Sequence, residues 1–198
     1  YANKESDWVC LLDEQSRMAP AICEMVSEIF YEGKLRVAAD KRSNKEWLHE
    51  IFQPFGEIPR NIQIAVEEIS DDYIEGNPIF KTLRQRSAER IADLIEASSL
   101  DDITQKDVLV ITPFNAQRSL IAKILVEREL KHVKVSTIHS SQGSEAAIVF
   151  FDPVAGENKF YKQKFGRNLV NVALSRAKYK IVMMFSESDL NNLLLAQI

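Results

Sequence analysis

The chain has 198 residues, 45% hydrophobic and 27% charged, with a formal net charge of −4. That length suits one well-buried domain better than two, and the composition is ordinary for a soluble globular protein rather than a disordered or fibrous one. Its longest apolar runs, such as AAIVFF, are far too short to span a bilayer, and the acidic average argues mildly against a nucleic-acid partner without excluding one, because such binding rests on local basic patches.

The elements alternate along the chain. WVCLL (8–12) reads as a short strand, and APAICEMVSEIFY (19–31) as a helix with Pro20 in its first turn, where a missing N–H costs nothing. Residues 33–60 are ambiguous beyond a short helix around NKEWLHEIF (44–52) and a turn at QPFGEIP. NIQIAVEEI (61–69) is a strand. SAERIADLIEAS (87–98) is a helix with Ser87 as its cap and Ile91, Leu94 and Ile95 as its buried stripe. DVLVIT (107–112) is a buried-strand run. NAQRSLIAKILVEREL (115–130) is a long helix, VKVSTI (133–138) and AAIVFFD (146–152) are strands, and LVNVALSRAK (169–178) is a helix. YKIVMMF (179–185) is the last clear strand, and a short helix follows from Glu187.

Strands alternating with helices predict an α/β fold: a mostly parallel sheet with helices on both faces. In such sheets ligands sit beyond the carboxyl ends of strands. Function is therefore expected at TPFNAQ, at the IHSSQG loop from Ile138 to Gly143, and at Asp152. Cys10 and Cys23, taken with His49, His132 and His139, show no paired metal-ligand spacing, so the thiols are expected to be buried and inert. No secretory signal opens the chain, and it begins at Tyr1 rather than Met. The expectation is a single domain over 1–198, cut from a larger intracellular, cytoplasmic protein, with no membrane partner.

Four stretches resemble, in order, the motifs of the second RecA-like domain of superfamily 1 helicases, in the branch of the nonsense-mediated-decay helicase and related DNA replication and repair helicases. QSRMAPAICEMVSEIFYEGKL is similar to that branch's Gln-Tyr-Arg-Met-x-Pro stretch, and VLVITPFNAQ to its Thr-Pro-Tyr-x-x-Gln motif. VSTIHSSQGSEAAIVFFD resembles motif V, and NVALSRAK resembles motif VI. The helix SAERIADLIEA fits the one that precedes the Thr-Pro motif. The likeness runs from about Leu11 to Phe185. It implies a RecA-like, P-loop-NTPase-like domain, the C-terminal motor domain of an ATP-dependent helicase or translocase moving 5′ to 3′.

No G-x-x-x-x-G-K-[ST] occurs in the chain, and the Gly33-Lys34 pair has no glycine five positions upstream. Asp13-Glu14, which could pass for metal-holding carboxylates, would have no nucleotide–metal complex to complete within this chain. The arginines carry the expectation instead. By resemblance Arg17 and Arg176 are fingers for the γ-phosphate, a task that suits a permanently charged planar fork of donors. Glu145 takes a ribose hydroxyl, Gln142 lies beside the γ-phosphate, and Gly143 permits the tight turn between them. Thr112, Pro113, Thr137 and His139 belong to the face that grips single-stranded DNA or RNA. In NKFYKQKFGR, the basic Lys159, Lys162, Lys164 and Arg167 are interleaved with Phe160, Tyr161 and Phe165, a pattern that suits stacking and phosphate pairing. ATP and Mg2+ are the implied cofactors, held mainly by an N-terminal RecA-like domain outside this chain, so the chain alone is expected to be inactive. The other class of reading is a non-catalytic nucleic-acid-binding or protein-docking module derived from a helicase. Two departures stand out: Ser16 replaces the family's aromatic before the first arginine, and Asn168 and Leu169 replace its arginine pair.

Overall fold

The computed structural model describes residues 12–71, 82–98, 102–154 and 159–198. Its centre is a five-stranded sheet of β3 (Ile64–Glu68), β4 (Val108–Thr112), β5 (Lys134–Thr137), β6 (Ala146–Phe151) and β7 (Ala177–Phe185), in the order β3-β7-β6-β4-β5 with every pairing parallel. A separate two-stranded parallel pair joins β1 (Glu14–Gln15) to β2 (Arg36–Val37). The helices are α1 (Pro20–Tyr31), α2 (Ala39–Ser43), α3 (Lys45–Ile51), α4 (Gln85–Ala97), α5 (Asp102–Gln105), α6 (Asn115–Glu127), α7 (Lys164–Leu174) and α8 (Glu187–Leu190). The parallel sheet with helices on both faces is the expected RecA-like α/β architecture. No helix among the described residues is long and apolar enough to cross a membrane.

Period-two alternation divides the core into two layers. Leu109, Ile111, Val149, Phe151, Ile181 and Met183 point to one face, where Ile22 and Val26 of α1, Trp47 and Ile51 of α3, and Val170, Ala173 and Leu174 of α7 cover them. Val108, Val110, Phe150, Val182 and Met184 point to the other, under Ile91, Leu94 and Ile95 of α4 and Ile121 and Leu125 of α6. A sheet covered on both sides explains why β4, β6 and β7 read as near-continuous apolar runs. Cys23 is buried in the first layer, where desolvation raises its thiol pKa.

Three expectations need correction. The helix placed at 169–178 runs 164–174 instead. Ala177 is pulled into the sheet beside Ala146, fully buried, so Arg176 lies in the turn between α7 and β7 rather than on a helix. Ser87 does not cap α4, which starts at Gln85, and its hydroxyl is buried against Asp152. The long helix from Asn115 stops at Glu127 because Glu129 adopts a left-handed φ of 61° and the Leu130 N–H turns back to Leu125 O. The strand expected at WVCLL lies, apart from exposed Leu12, outside the described residues.

Candidate nucleotide and nucleic-acid site

The sheet has two working edges. At the amino edge, before β6 and β7, three distant segments meet. The Gln15 side chain folds the first of them: its Oε1 accepts from the Arg17 and Met18 N–H groups at 2.8 and 2.6 Å, and its Nε2 donates to Met18 O at 2.9 Å. This tight turn presents Arg17 just before Pro20 opens α1. Arg17 Nε reaches Glu145 Oε2 at 2.9 Å and its Nη1 donates to Ser175 O at 3.3 Å. Glu145 stands one residue before β6 and uses its other oxygen, Oε1, for Lys178 Nζ at 2.6 Å. Lys178 first and Arg17 second hold the Glu145 carboxyl below its ordinary pKa. Arg176 donates from Nε to Val172 O and from Nη1 to Ser144 O, both at 3.1 Å. Burial, with the charge of Arg17 added, depresses the pKa of its guanidinium. The cluster thus holds three cations around one carboxylate.

Both guanidiniums rest on internal acceptors: Arg17 on Glu145 and Ser175 O, Arg176 on Val172 O and Ser144 O. The cluster offers nothing for a metal: among the described residues, no group of three or more His, Cys, Asp or Glu could hold a metal ion. Asp13 and Glu14 are tied to Arg36 at 2.9 and 3.4 Å, in the small sheet rather than at a central strand end. Gln142 and Gly143 are exposed in the loop that leads into Glu145, and Gly143 has a left-handed φ of 82° with open space around it.

At the carboxyl edge the picture is mixed. Thr137 and Thr112 pair across β5 and β4, but Thr112 is fully enclosed and its hydroxyl has no hydrogen-bond partner among the described residues. As placed it cannot touch a strand lying on the surface, which corrects the expectation for it. Pro113 is half-buried, and the half-buried Thr137 shares its hydroxyl with Ser140 at 2.7 Å. His139 is exposed and stacks on exposed Phe165, with ring centroids 5.5 Å apart. Lys162 is exposed at the end of a 3-10 turn (Lys159–Lys162), and Lys164 opens α7. Several members of the basic-aromatic stretch are engaged within the protein, Phe160 by edge contacts with Phe114 and Tyr161. Tyr161 is buried with its hydroxyl donating to Pro153 O at 2.7 Å, and Arg167 lies over the Phe30 ring and donates to Ile29 O.

Asp152 is not an open strand-end carboxylate. It is wholly buried, as are Arg84 and Asp189. Arg84 bridges Asp152 Oδ1 at 2.9 Å and Asp189 Oδ2 at 2.7 Å, and also donates to Met184 O. Ser87 Oγ and Gln117 Nε2 each reach Asp152 Oδ2 at 2.7 Å. Burial raises the Asp152 pKa while Arg84, Ser87 and Gln117 pull it down. The network pins α4, the start of α6, β6 and α8 together under the carboxyl edge. Sequence reasoning missed Arg84 and Lys178. Lys178 had a signal, because it lies within NVALSRAK two positions after Arg176.

The fold is a parallel RecA-like sheet with Arg17 and Lys178 paired to Glu145, and Arg176 beside them, at its amino edge. Residues 1–188 match the AAA domain family AAA_12. The chain belongs to that family and is superfamily 1 helicase-like. It is 30% identical over 190 residues to the mouse "3'-5' exoribonuclease HELZ2", covering 85% of this chain and 6% of that protein. It is 27% identical over 182 residues to the "Regulator of nonsense transcripts 1 homolog" of Arabidopsis thaliana, covering 87% and 14%. With the Arabidopsis "DNA replication ATP-dependent helicase/nuclease JHS1" it shares 24% identity over 200 residues, covering 92% and 14%. The chain therefore spans a small part of these relatives. Among solved structures, the C-terminal domain of a possible DNA helicase from Lactobacillus plantarum WCFS1 superposes with a TM-score of 0.57 at 14% identity, covering 93% and 94% of the two chains.

Proposed function

We propose that this chain is the arginine-supplying half of an ATP-dependent nucleic-acid motor, completed by an N-terminal RecA-like domain that brings the phosphate loop and magnesium. The observation that carries the reading is the meeting of Arg17, Glu145 and Arg176 at one edge, from segments as much as 158 residues apart. ATP bound between the two domains would supply the phosphoryl group. Arg17 and Arg176 of this chain would neutralise charge that builds on it as the bond loosens, while Glu145 would receive the ribose hydroxyls. Both guanidiniums rest on internal acceptors in this structure. Closing the cleft would draw them onto phosphate oxygens, so they act in the transition state more than in ground-state binding. At the carboxyl edge His139, Phe165 and Lys162 would stack on bases and pair with phosphates of a single strand.

The test is kinetic. In the intact protein Arg17→Ala and Arg176→Ala should each lower strand-stimulated kcat by about 10³-fold, the scale of an arginine finger, with little change in nucleotide affinity. The isolated chain should release no phosphate. Loss of affinity at unchanged kcat would reassign both arginines to binding, and an intact protein with no ATP turnover would favour a non-catalytic module.

A further inference from the structure

The amino-edge cluster contains a closed ring of contacts, and Lys178 is its hub. Its ammonium holds Glu145 Oε1 at 2.6 Å. Its backbone carbonyl accepts the Ala19 N–H at 2.7 Å, fixing the turn that carries Arg17. Arg17 in turn holds Glu145 Oε2 at 2.9 Å. One residue therefore controls both the position of the arginine and the position of the carboxylate it rests on.

The two cations on Glu145 are not equivalent. Arg17 sits in a four-residue turn, exposed, and its other contact is a single carbonyl at 3.3 Å. Lys178 belongs to β7, beside the Ala146–Ala177 pair that opens the β6–β7 ladder. Arg17 rides on a turn outside the central sheet, whereas the backbone of Lys178 is anchored in β7, so an anion that draws Arg17 away would leave the Lys178 ammonium beside Glu145. Without Lys178, the departure of Arg17 would leave Glu145 free to rotate or to follow the arginine.

We propose that Lys178 is a positioning residue: it keeps Glu145 in place when Arg17 leaves for phosphate, and so fixes a carboxylate that selects nucleotides bearing free ribose hydroxyls. This rests on the nucleotide reading above and goes beyond it in naming the residue on which sugar selection depends. Arg17 then has two partners in turn, Glu145 at rest and phosphate when engaged. The Glu145 oxygen it vacates, Oε2, is the one released to accept a ribose hydroxyl.

Equilibrium binding to the intact protein tests this without relying on turnover. Calorimetric titrations with ATP and with 2′,3′-dideoxy-ATP are run on the wild type, Lys178→Met and Lys178→Arg, with melting temperatures alongside. The wild type should prefer ATP by about tenfold, the scale of one charge-assisted hydrogen bond. Lys178→Met should erase that preference by weakening ATP while leaving dideoxy-ATP unchanged, and Lys178→Arg should restore it. Lys178→Gln gives the same reading should the methionine variant fail to fold. A methionine variant that keeps the full preference, or that weakens both nucleotides equally, overturns the positioning role. A wild type that binds both nucleotides equally overturns sugar selection but leaves the arginine half-site standing. A wild type that binds neither overturns the nucleotide reading itself.

Discussion

Gly166 offers a test in which two rules give opposite signs. It lies in the third position of α7, where alanine is intrinsically better by about 1 kcal/mol. A Cβ there, however, would lie 2.0 Å from Phe160 O, 2.9 Å from Phe160 C and 3.1 Å from Tyr161 Cα. All three atoms are backbone, so no rotamer change relieves the clash. Either α7 or the 159–162 turn must shift by about 1 Å or more, and overpacking of that kind costs about 1–3 kcal/mol or more. The 2.0 Å backbone contact puts the cost at the upper end, about 3 kcal/mol, so after the helical gain is subtracted Gly166→Ala should be destabilised by about 2 kcal/mol, which for a chain of this size lowers Tm by about 4–8 °C. The displaced turn carries Phe160 and Lys162, so affinity for a single strand should fall as well, read by fluorescence anisotropy at fixed salt. A Gly166→Ala protein that melts at or above the wild-type temperature would show that helix propensity governs the site and that the close approach is not real.

Replacing Arg84 with Met leaves Asp152 and Asp189 buried without their cation, and urea unfolding should report a loss of about 3–5 kcal/mol. Adding Asp152→Asn and Asp189→Asn should recover much of that loss, and a triple variant no better than the single one would contradict the charge argument. Glu145 gives a pH signature. Its carboxyl pKa is depressed below the ordinary 4.5, so its pairing stabilises the fold above that value and the contribution is lost as pH falls through the lower folded value. The stability gap between wild type and Glu145→Gln, at most about 1 kcal/mol near neutrality because the pairs are well exposed, should therefore close in acid. A gap that stays constant between about pH 3 and 7 would rule out the ionised pair as its source.

Much of the fold was legible because burial leaves strong local patterns. The apolar runs of β4 and β6 and the stripe Ile91, Leu94, Ile95 of α4 announced a doubly covered sheet. What the sequence did not reveal depends on contacts between distant residues. Nothing local marks Arg84 as the buried arginine, since Asp152 and Asp189 are 68 and 105 residues away. The end of α7 was misplaced because NVALSRAK keeps good helix formers past Leu174, and only the pairing of Ala177 with Ala146 stops it. The general rule for parallel sheets led to TPFNAQ, IHSSQG and Asp152 at the carboxyl edge. Motif likeness selected Arg17, Glu145 and Arg176, and the structure gathers these at the amino edge. Thr112 and Asp152 occupy the strand ends expected of them but face inward, an orientation that depends on the neighbouring helices.

The crossover from β5 to β6 joins the two edges of the sheet with only eight residues, 138–145. Its first part is knotted by hydrogen bonds: Ser141 N–H to Thr137 O at 3.0 Å, Ser141 Oγ to Ile138 O at 2.7 Å, and Ser144 N–H to Ser141 O at 3.0 Å. Gly143, with open space around it, is the one point in the segment where a side chain would be both strained and unopposed. Mechanically the segment is a short crank, held from Thr137 through Ser144 by these bonds and by Lys134 and Arg176 on Ser144, with His139 on one arm and Glu145 on the other. Such a linkage has little slack to absorb an inserted or deleted residue. A change of length here would move the aromatic His139 and the carboxylate of Glu145 together, unlike the usual surface loop, where added length is taken up harmlessly.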